Sequence, residues 1–453
     1  MATHSKYQGW IVSGIFNGLQ KLSIPVFGVI STMLLAKRAL TKDEMGVWAL
    51  FLVLTSFVEL IRQALVKTSM IRFLNHSKDH EHKKVLSAAF SLNVLISVLL
   101  MGILAASAHW LETVLHAQGL ARMTYLFIAG IVILIPFSHF EWIMYSKAHF
   151  KELFWTFFWR QGVTLALLVA ALFVEDKVTL SALVLFYLAG ILTGTFVGYR
   201  YVKKYLTHSF VFSMEWFTKL WHFGKYVFGS GVSTLVFANA GGMMLSPLLG
   251  STAYTASQSI AARVLNLADM PSQVLSDILF PKSANREIAS NKPMIKYYYE
   301  KTVGATLCLS LPVVLFIVLF PKFIIRILAD QQYYDAAPFL QVTAVSVLFL
   351  AFLKQWAVII DSGGRPHINF YLITGMAILN VILSYVFIVQ FGFMGAAHSL
   401  IITHVIGFIV TQILLNKYYN VQIGMCFVYA ARFYPEIYHI IKEKFQPKWK
   451  TQQ

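Results

Sequence analysis

Twelve apolar runs, near residues 11–36, 46–66, 85–107, 122–145, 153–174, 180–200, 226–247, 254–280, 302–320, 338–360, 368–391 and 395–416, follow one another with short polar connections. A hydrocarbon core about 30 Å thick takes about 20 apolar residues of helix. A backbone in lipid must satisfy its own hydrogen bonds, which leaves the helix as the form for such runs. The expected fold is an all-α integral membrane protein of about 12 transmembrane helices. With 58% hydrophobic and 13% charged residues among 453, and a mean hydropathy of +0.66, the chain is too apolar for a soluble globule of this size. Little is left for a soluble domain, so any function must sit among the helices.

A net charge of +17 would suggest nucleic acid in a soluble protein. Here the basic residues fall in bursts between apolar runs, where they orient a membrane protein. With the N-terminus in the cytoplasm, about 25 of the 37 Lys and Arg lie in cytoplasmic segments, about 7 outside and about 5 within spans, which fixes an N-in, C-in topology. The run after the polar Met1–Tyr7 is too long for a signal-peptide core and lacks a small-residue cleavage pattern, so it reads as a retained helix. The two cysteines, Cys308 and Cys426, have no spacing for a metal or a disulfide framework.

Six runs followed by six, each half starting in the cytoplasm, is the pattern of a parallel repeat about an axis along the membrane normal. The expected units are residues 1–208, an N-terminal six-helix bundle; 209–225, an interfacial crossover helix in which Trp216 and Trp221 mix with Lys219 and His222; 226–420, a C-terminal six-helix bundle; and 421–453, a cytoplasmic amphipathic tail. Breakers recur in the first helix of each half, Pro25 in one and Gly241, Gly242 and Pro247 in the other. Interrupted helices in corresponding positions point to a central substrate site, although small residues also serve tight packing in membranes.

Ionisable groups inside spans carry the chemistry. Each cation costs about 2.5–3.5 kcal/mol at the midplane on insertion scales, so it must face a wet cavity, pair, or snorkel. Lys21 and Arg263 lie nine to ten residues into their spans, roughly 15 Å deep, where snorkelling does not reach. Arg62 and Lys354 lie near cytoplasmic ends, where an aliphatic stem can carry the charge outward, and Arg160 is intermediate. Glu59 precedes Arg62 by one turn and can pair with it. In the eighth run, Ser259, Arg263, Asn266, Asp269, Gln273 and Asp277 share about 120° of helical arc. That stripe reads as a pathway lining, or else as a hydrogen-bonding seam against a neighbouring helix. Pro271 within it should kink the helix.

Cations in a central cavity suit an anionic headgroup, since Arg and Lys give charge-assisted hydrogen bonds to phosphate. There is no Gly-rich phosphate loop with Lys, no paired catalytic carboxylates and no His or Cys cluster. His76, His80 and His82 read as a solvated or headgroup-facing surface. The expectation is a carrier rather than an enzyme, with no catalytic residue, no metal site and no cofactor beyond a coupling ion, H+ or Na+.

Several stretches then resemble the Wzx-type oligosaccharide flippases, the polysaccharide-transporter branch of the MOP superfamily that also holds MATE-type extruders and the lipid II flippase. They are LLAKRALTKDEMGVWAL from Leu34 to Leu50, LLGSTAYTASQSIAARVLNLADMPSQVLSDILFPKSA from Leu248 to Ala284, LPVVLFIVLFPKFIIRILADQQYYDAAPFLQV from Leu311 to Val342, SGGRPHINF from Ser362 to Phe370 and FGFMGAAHSLIITH from Phe391 to His404. In this order they cover nearly the whole chain. The resemblance implies two six-helix bundles around a V-shaped cavity, alternating access, and a polyprenyl-pyrophosphate-linked glycan as substrate, destined for a surface polysaccharide of the O-antigen or capsule kind. It implies a bacterial cytoplasmic (inner) membrane and, as partners, membrane lipids and the glycosyltransferases and glycan polymerase of the same pathway, with no nucleic acid. It also makes Lys21 and Arg263 the substrate-binding cations, with Arg62, Arg160, Lys354, Ser259, Asn266, Asp269, Gln273 and Asp277 as further cavity lining. The competing reading is a MATE-like ion-coupled exporter of small organic molecules, which should show unpaired acids deep in the N-terminal half. A glycan polymerase or ligase should show a large outward loop, and the outward loops here are short.

Overall fold

The computed structural model describes residues 2–76, 81–175, 177–206, 211–283, 291–363 and 365–445. Every described element is helical: α1 (Ala2–Leu34), α2 (Lys42–Arg62), α3 (Thr68–His76), α4 (His82–Val114), α5 (Leu120–Ser146), α6 (Phe150–Val174), α7 (Leu180–Val202), α8 (Met214–Leu249), α9 (Ala253–Ala268), α10 (Met270–Ser283), α11 (Lys292–Leu319), α12 (Pro321–Leu328), α13 (Ala336–Ala344), α14 (Ser346–Ser362), α15 (Pro366–Phe391), α16 (Phe393–Tyr419) and α17 (Ile423–Phe445). Single turns of wider π-helix, Leu35–Ala39 and Gln63–Lys67, extend α1 and α2.

Among the described residues, ten helices are long and apolar enough to span a membrane, and α13 with α14 passes as one span bent by 42°. The remaining expected span, 254–280, is broken. α9 ends at Ala268 and α10 starts at Met270, because Pro271 has no amide for the Leu267 carbonyl. Neither piece is long enough alone, and the polar stripe lowers their hydropathy. Against the sequence expectation of about twelve spans, the described residues thus hold ten qualifying helices and one bent pair, with the eighth run divided into two helices that do not qualify.

The packing repeats between halves. In the first, α1 lies on α6, α4 on α5, α6 on α7 and α5 on α7; in the second, α8 lies on α15, α11 on α14, α15 on α16 and α14 on α16. Each pair in one half has its counterpart, span for span, in the other, and α2 meets α9 across the interface. The chain is a multi-pass membrane protein of two six-helix bundles.

Local sequence sets the ends. Thr41 starts α2 with a capping box: its hydroxyl accepts from the Glu44 amide at 3.3 Å, and the Glu44 carboxylate accepts from the Thr41 amide at 2.8 Å, satisfying two orphan donors. Gly250, at φ +73°, makes the left-handed turn from α8 into α9, a conformation that favours glycine.

Two expected surface helices look different in the structure. The segment expected as a separate crossover helix is the first third of α8, which runs unbroken from Met214 to Leu249. At 1.5 Å per residue α8 is about 54 Å long, well beyond the hydrocarbon core. Only Gly224 interrupts the helix formers there, and one glycine weakens a helix without stopping it. That glycine lets α8 press onto the main chain at Leu65, where a Cβ would overlap the Leu65 carbonyl. The tail helix α17 lies along α11 rather than free on the surface. Gln422 donates its amide to Glu300 at 2.8 Å, Tyr434 donates its hydroxyl to the Cys308 carbonyl at 3.0 Å, and Gly304 leaves room for Cys426 and Tyr429.

Candidate functional site

Two adjoining chambers open beside Arg263, one inside the N-terminal bundle and one where the two bundles meet. The first, about 300 Å³, is walled by α1, α2, α6 and α7 and includes Gly28, Thr32, Glu59, Arg160, Gln161 and Tyr187. The second, about 250 Å³, lies between α2, α8 and α9 and includes Asn239, Gly242, Gln258, Ser259 and Asn266. Trp48, Leu52, Ser56 and Arg263 border both.

The sequence of α9 explains the placement of Arg263. Ile260, Ala261, Val264 and Ala268 are buried on one side, so Ser259, Arg263 and Asn266 face the opening, as helical periodicity requires. Arg263 has no hydrogen-bonding or ion-pairing partner among the described residues. Gly28 of α1 makes space for it, since a Cβ there would lie 3.1 Å from Arg263 Nη1. A guanidinium with five unclaimed donors beside a cavity is an anion-binding group.

The other cations behave differently. Arg160 donates through Nη2 to Glu59 Oε1 at 2.6 Å and to the Tyr187 hydroxyl at 2.9 Å, and it stacks over Phe137. Glu59 therefore pairs across helices with Arg160, not with Arg62 one turn away. Arg62 is fully buried away from both chambers. Its Nε and Nη2 donate to Asn93 Oδ1 at 3.1 and 3.0 Å, and Nη2 also donates to the Leu134 carbonyl at 2.9 Å. Expected to snorkel or line the cavity, Arg62 instead ties α2 to α4 and α5. Such a charge is tolerable only because polar groups meet it.

The stripe on the broken span divides at the break. Below Asn266 it becomes a seam. Lys354 of α14 pairs with Asp269, Gln273 donates to Asp269 at 3.2 Å, and Gln355 donates to the Ser272 carbonyl at 3.3 Å. Asp269, Gln273 and Lys354 line neither chamber: Asp269 and Lys354 pair between helices, and Gln273 bonds to Asp269 along the same span. Lys21 lies in α1 and Asp277 in α10, but their side chains fall outside the described residues.

On the outer side the two halves are closed against each other. Lys42 pairs with Asp335 at 2.8 Å, and Asp335 accepts from Ser257 at 2.9 Å. Asp43 accepts from Ser251 at 2.9 Å and from the Ala253 amide at 3.2 Å, capping the start of α9. Gly46 packs against Thr252 so closely that a Cβ would overlap the Thr252 carbonyl.

Sequence reasoning overlooked Glu59, Gln161, Tyr187, Asn239 and Gln258 as lining. A signal existed for two of them: Gln161 follows Arg160 amid aromatics, and Gln258 precedes Ser259 on the stripe. Tyr187 gave none, because an isolated Tyr in a span is ordinary.

The fold matches solved transporters. A MATE-family multidrug resistance transporter of the MOP superfamily, inward-facing, superposes with a TM-score of 0.73 at 14% identity over 88% of this chain and 98% of that one, and an outward-facing structure of a MATE-family transporter scores 0.63 over 90% and 94% at 15% identity. The lipid II flippase MurJ, in an inward closed conformation, scores 0.74 at 14% identity over 96% and 94%. An uncharacterised membrane protein of Methanocaldococcus jannaschii is 26% identical over 227 residues, and that match spans 50% of this chain and 45% of the relative's length. The family described as polysaccharide biosynthesis protein matches residues 34–338, and with a match over two thirds of its length the chain belongs to that family.

Proposed function

We propose that the protein moves a polyprenyl-pyrophosphate-linked oligosaccharide across the cytoplasmic membrane of a bacterium by alternating access of its two bundles. The observation that carries this reading is Arg263, a guanidinium without a partner among the described residues where the two chambers meet. A pyrophosphate oxygen pair accepts bidentate hydrogen bonds from such a fork, and the low-dielectric walls of the cavity focus the attraction relative to bulk water. Family membership in polysaccharide biosynthesis and the fold shared with a lipid II flippase support a glycan-bearing lipid. The headgroup enters from the cytoplasm while the Lys42–Asp335 and Asp43 contacts hold the outer side shut, the prenyl chain stays in lipid, and an ion gradient resets the carrier. Glycosyltransferases and a glycan polymerase of the same pathway supply and consume the substrate.

Exporters of organic cations form the second reading, and Glu59 in the first chamber is the group that would favour it. Its charge is already matched by Arg160, which leaves the chambers cationic overall. Replacing Arg263 by Ala should abolish surface glycan display at unchanged protein level, while Arg263→Lys retains part of it. Normal display by Arg263→Ala, or efflux of a fluorescent organic cation lost with Glu59→Gln, would overturn the glycan reading.

A further inference from the structure

The second chamber differs in kind from the first. Its amide lining is Asn239, Gln258 and Asn266, beside the hydroxyls of Ser56, Thr255 and Ser259, with Trp48 as an aromatic wall and Arg263 at the edge. Among the described residues no carboxylate and no second cation borders it. Gln258 and Asn266 have no hydrogen-bond partner in the protein among the described residues, and Asn239 spends one amide hydrogen on the Leu235 carbonyl, leaving its oxygen free. Trp48 stacks on Phe51, centroids 5.3 Å apart, and its indole N–H is unclaimed. Gly242 is part of the construction. A Cβ there would overlap the Gln258 amide, so the glycine gives that amide its place in the chamber wall. A polar group in a span is costly unless it meets a partner, and three uncharged amides around one opening call for a ligand rich in neutral donors and acceptors.

We propose that this chamber is a sugar subsite. It takes the uncharged first residue of the glycan, a hexose or an N-acetylhexosamine, while Arg263 holds the adjoining pyrophosphate. Hydroxyl and acetamido groups supply matched donors and acceptors for Gln258, Asn266 and Asn239, and the apolar face of a pyranose suits an aromatic wall. A cavity of about 250 Å³ holds one such ring with little to spare. Gln258 and Asn266 are thereby specificity-determining residues. The assignment rests on the glycan-carrier reading and adds to it which part of the headgroup each chamber meets.

The test is equilibrium binding to the purified full-length protein in detergent, followed by calorimetry. The probes are a short-chain isoprenyl pyrophosphate, bare or carrying one hexose or one N-acetylhexosamine. Wild-type protein should bind a glycosylated probe at least about tenfold more tightly than the bare one, since a satisfied amide pair is worth that much. Gln258→Leu should shrink the preference for the glycosylated probe to within about threefold. Asn266→Ala is the second variant. Asn266 is exposed and has no hydrogen-bond partner among the described residues, so this change spares the packing. Equal wild-type affinity for bare and glycosylated probes, with binding still dependent on Arg263, would overturn the sugar subsite and leave the carrier reading standing. Failure of every probe to bind would overturn both.

Discussion

The tail helix offers a quantitative test of how this fold satisfies its backbone. In α11 Pro312 has no N–H, so the carbonyl of Cys308 four residues earlier loses its helical donor. That carbonyl is on a buried residue, and the Tyr434 hydroxyl of α17 donates to it at 3.0 Å. Tyr434→Phe removes the donor without leaving an unsatisfied group on the new side chain. One intramolecular hydrogen bond contributes about 0.5–1.5 kcal/mol, and an abandoned buried acceptor costs about 1–3 kcal/mol. Because Tyr434 is itself 44% exposed and solvent can partly substitute, we expect a loss of about 1–2 kcal/mol. In a Pro312→Ala background the new amide reaches the Cys308 carbonyl, and Tyr434→Phe should then cost less than about 0.5 kcal/mol. Denaturant titrations of the four purified proteins in micelles, read by circular dichroism, close the double-mutant cycle. An equal cost of Tyr434→Phe in both backgrounds would refute the reasoning, because Tyr434 would then act by packing alone.

Opposite signs are expected for the two halves of the first-chamber pair. Glu59→Gln keeps the shape but frees Arg160, so a bare isoprenyl pyrophosphate should bind about three- to tenfold more tightly at low salt, with the gain fading above about 0.3 M. Arg160→Gln strands the mostly buried Glu59, lowering stability by about 1–3 kcal/mol, less than for a fully buried pair, and weakening the same binding; a common sign would sink the pairing. At the outer seam, Gly46→Ala places a methyl against the Thr252 carbonyl and should favour the outward-open form. Labelling of Ser259→Cys by a membrane-impermeant maleimide from outside should then rise severalfold over the Gly46 parent. The native thiols give little background, since Cys308 is buried and burial, with Glu300 nearby, pushes the Cys426 thiol up to about 12. Unchanged labelling of a folded Gly46→Ala protein would rule out the gate.

Hydropathy made most of the fold legible, because lipid demands long apolar helices and nothing else satisfies the backbone. Pro271 announced the break in the eighth span. The bend between α13 and α14 had no such herald. There Thr343 and Ser346 turn their hydroxyls onto the Phe339 and Thr343 carbonyls, at 2.7 and 2.6 Å, and back-bonding of this kind bends helices without Gly or Pro. Continuity of α8 was hidden for the converse reason, since Gly224 and a change from polar to apolar residues look like a boundary until Leu65 is seen to need the space.

The site was less legible, and the reason is specific. At the sequence level depth sets Arg263 apart from Arg160 and from Arg62 and Lys354 near span ends, but the insertion penalty does not say which of them already has an acceptor. What ranks them is the acceptor each one meets, and those acceptors come from other helices: Asn93 and the Leu134 carbonyl for Arg62, Glu59 for Arg160, Asp269 for Lys354. A paired cation has already offset its desolvation and gains little by exchanging one carboxylate for a phosphate. Arg263 has nothing to exchange, so the whole of its interaction with an entering anion appears as binding. One polar stripe therefore serves two ends: up to Asn266 its groups are left open to the chambers, and at the break Asp269 is used up in holding the span against Lys354 of α14.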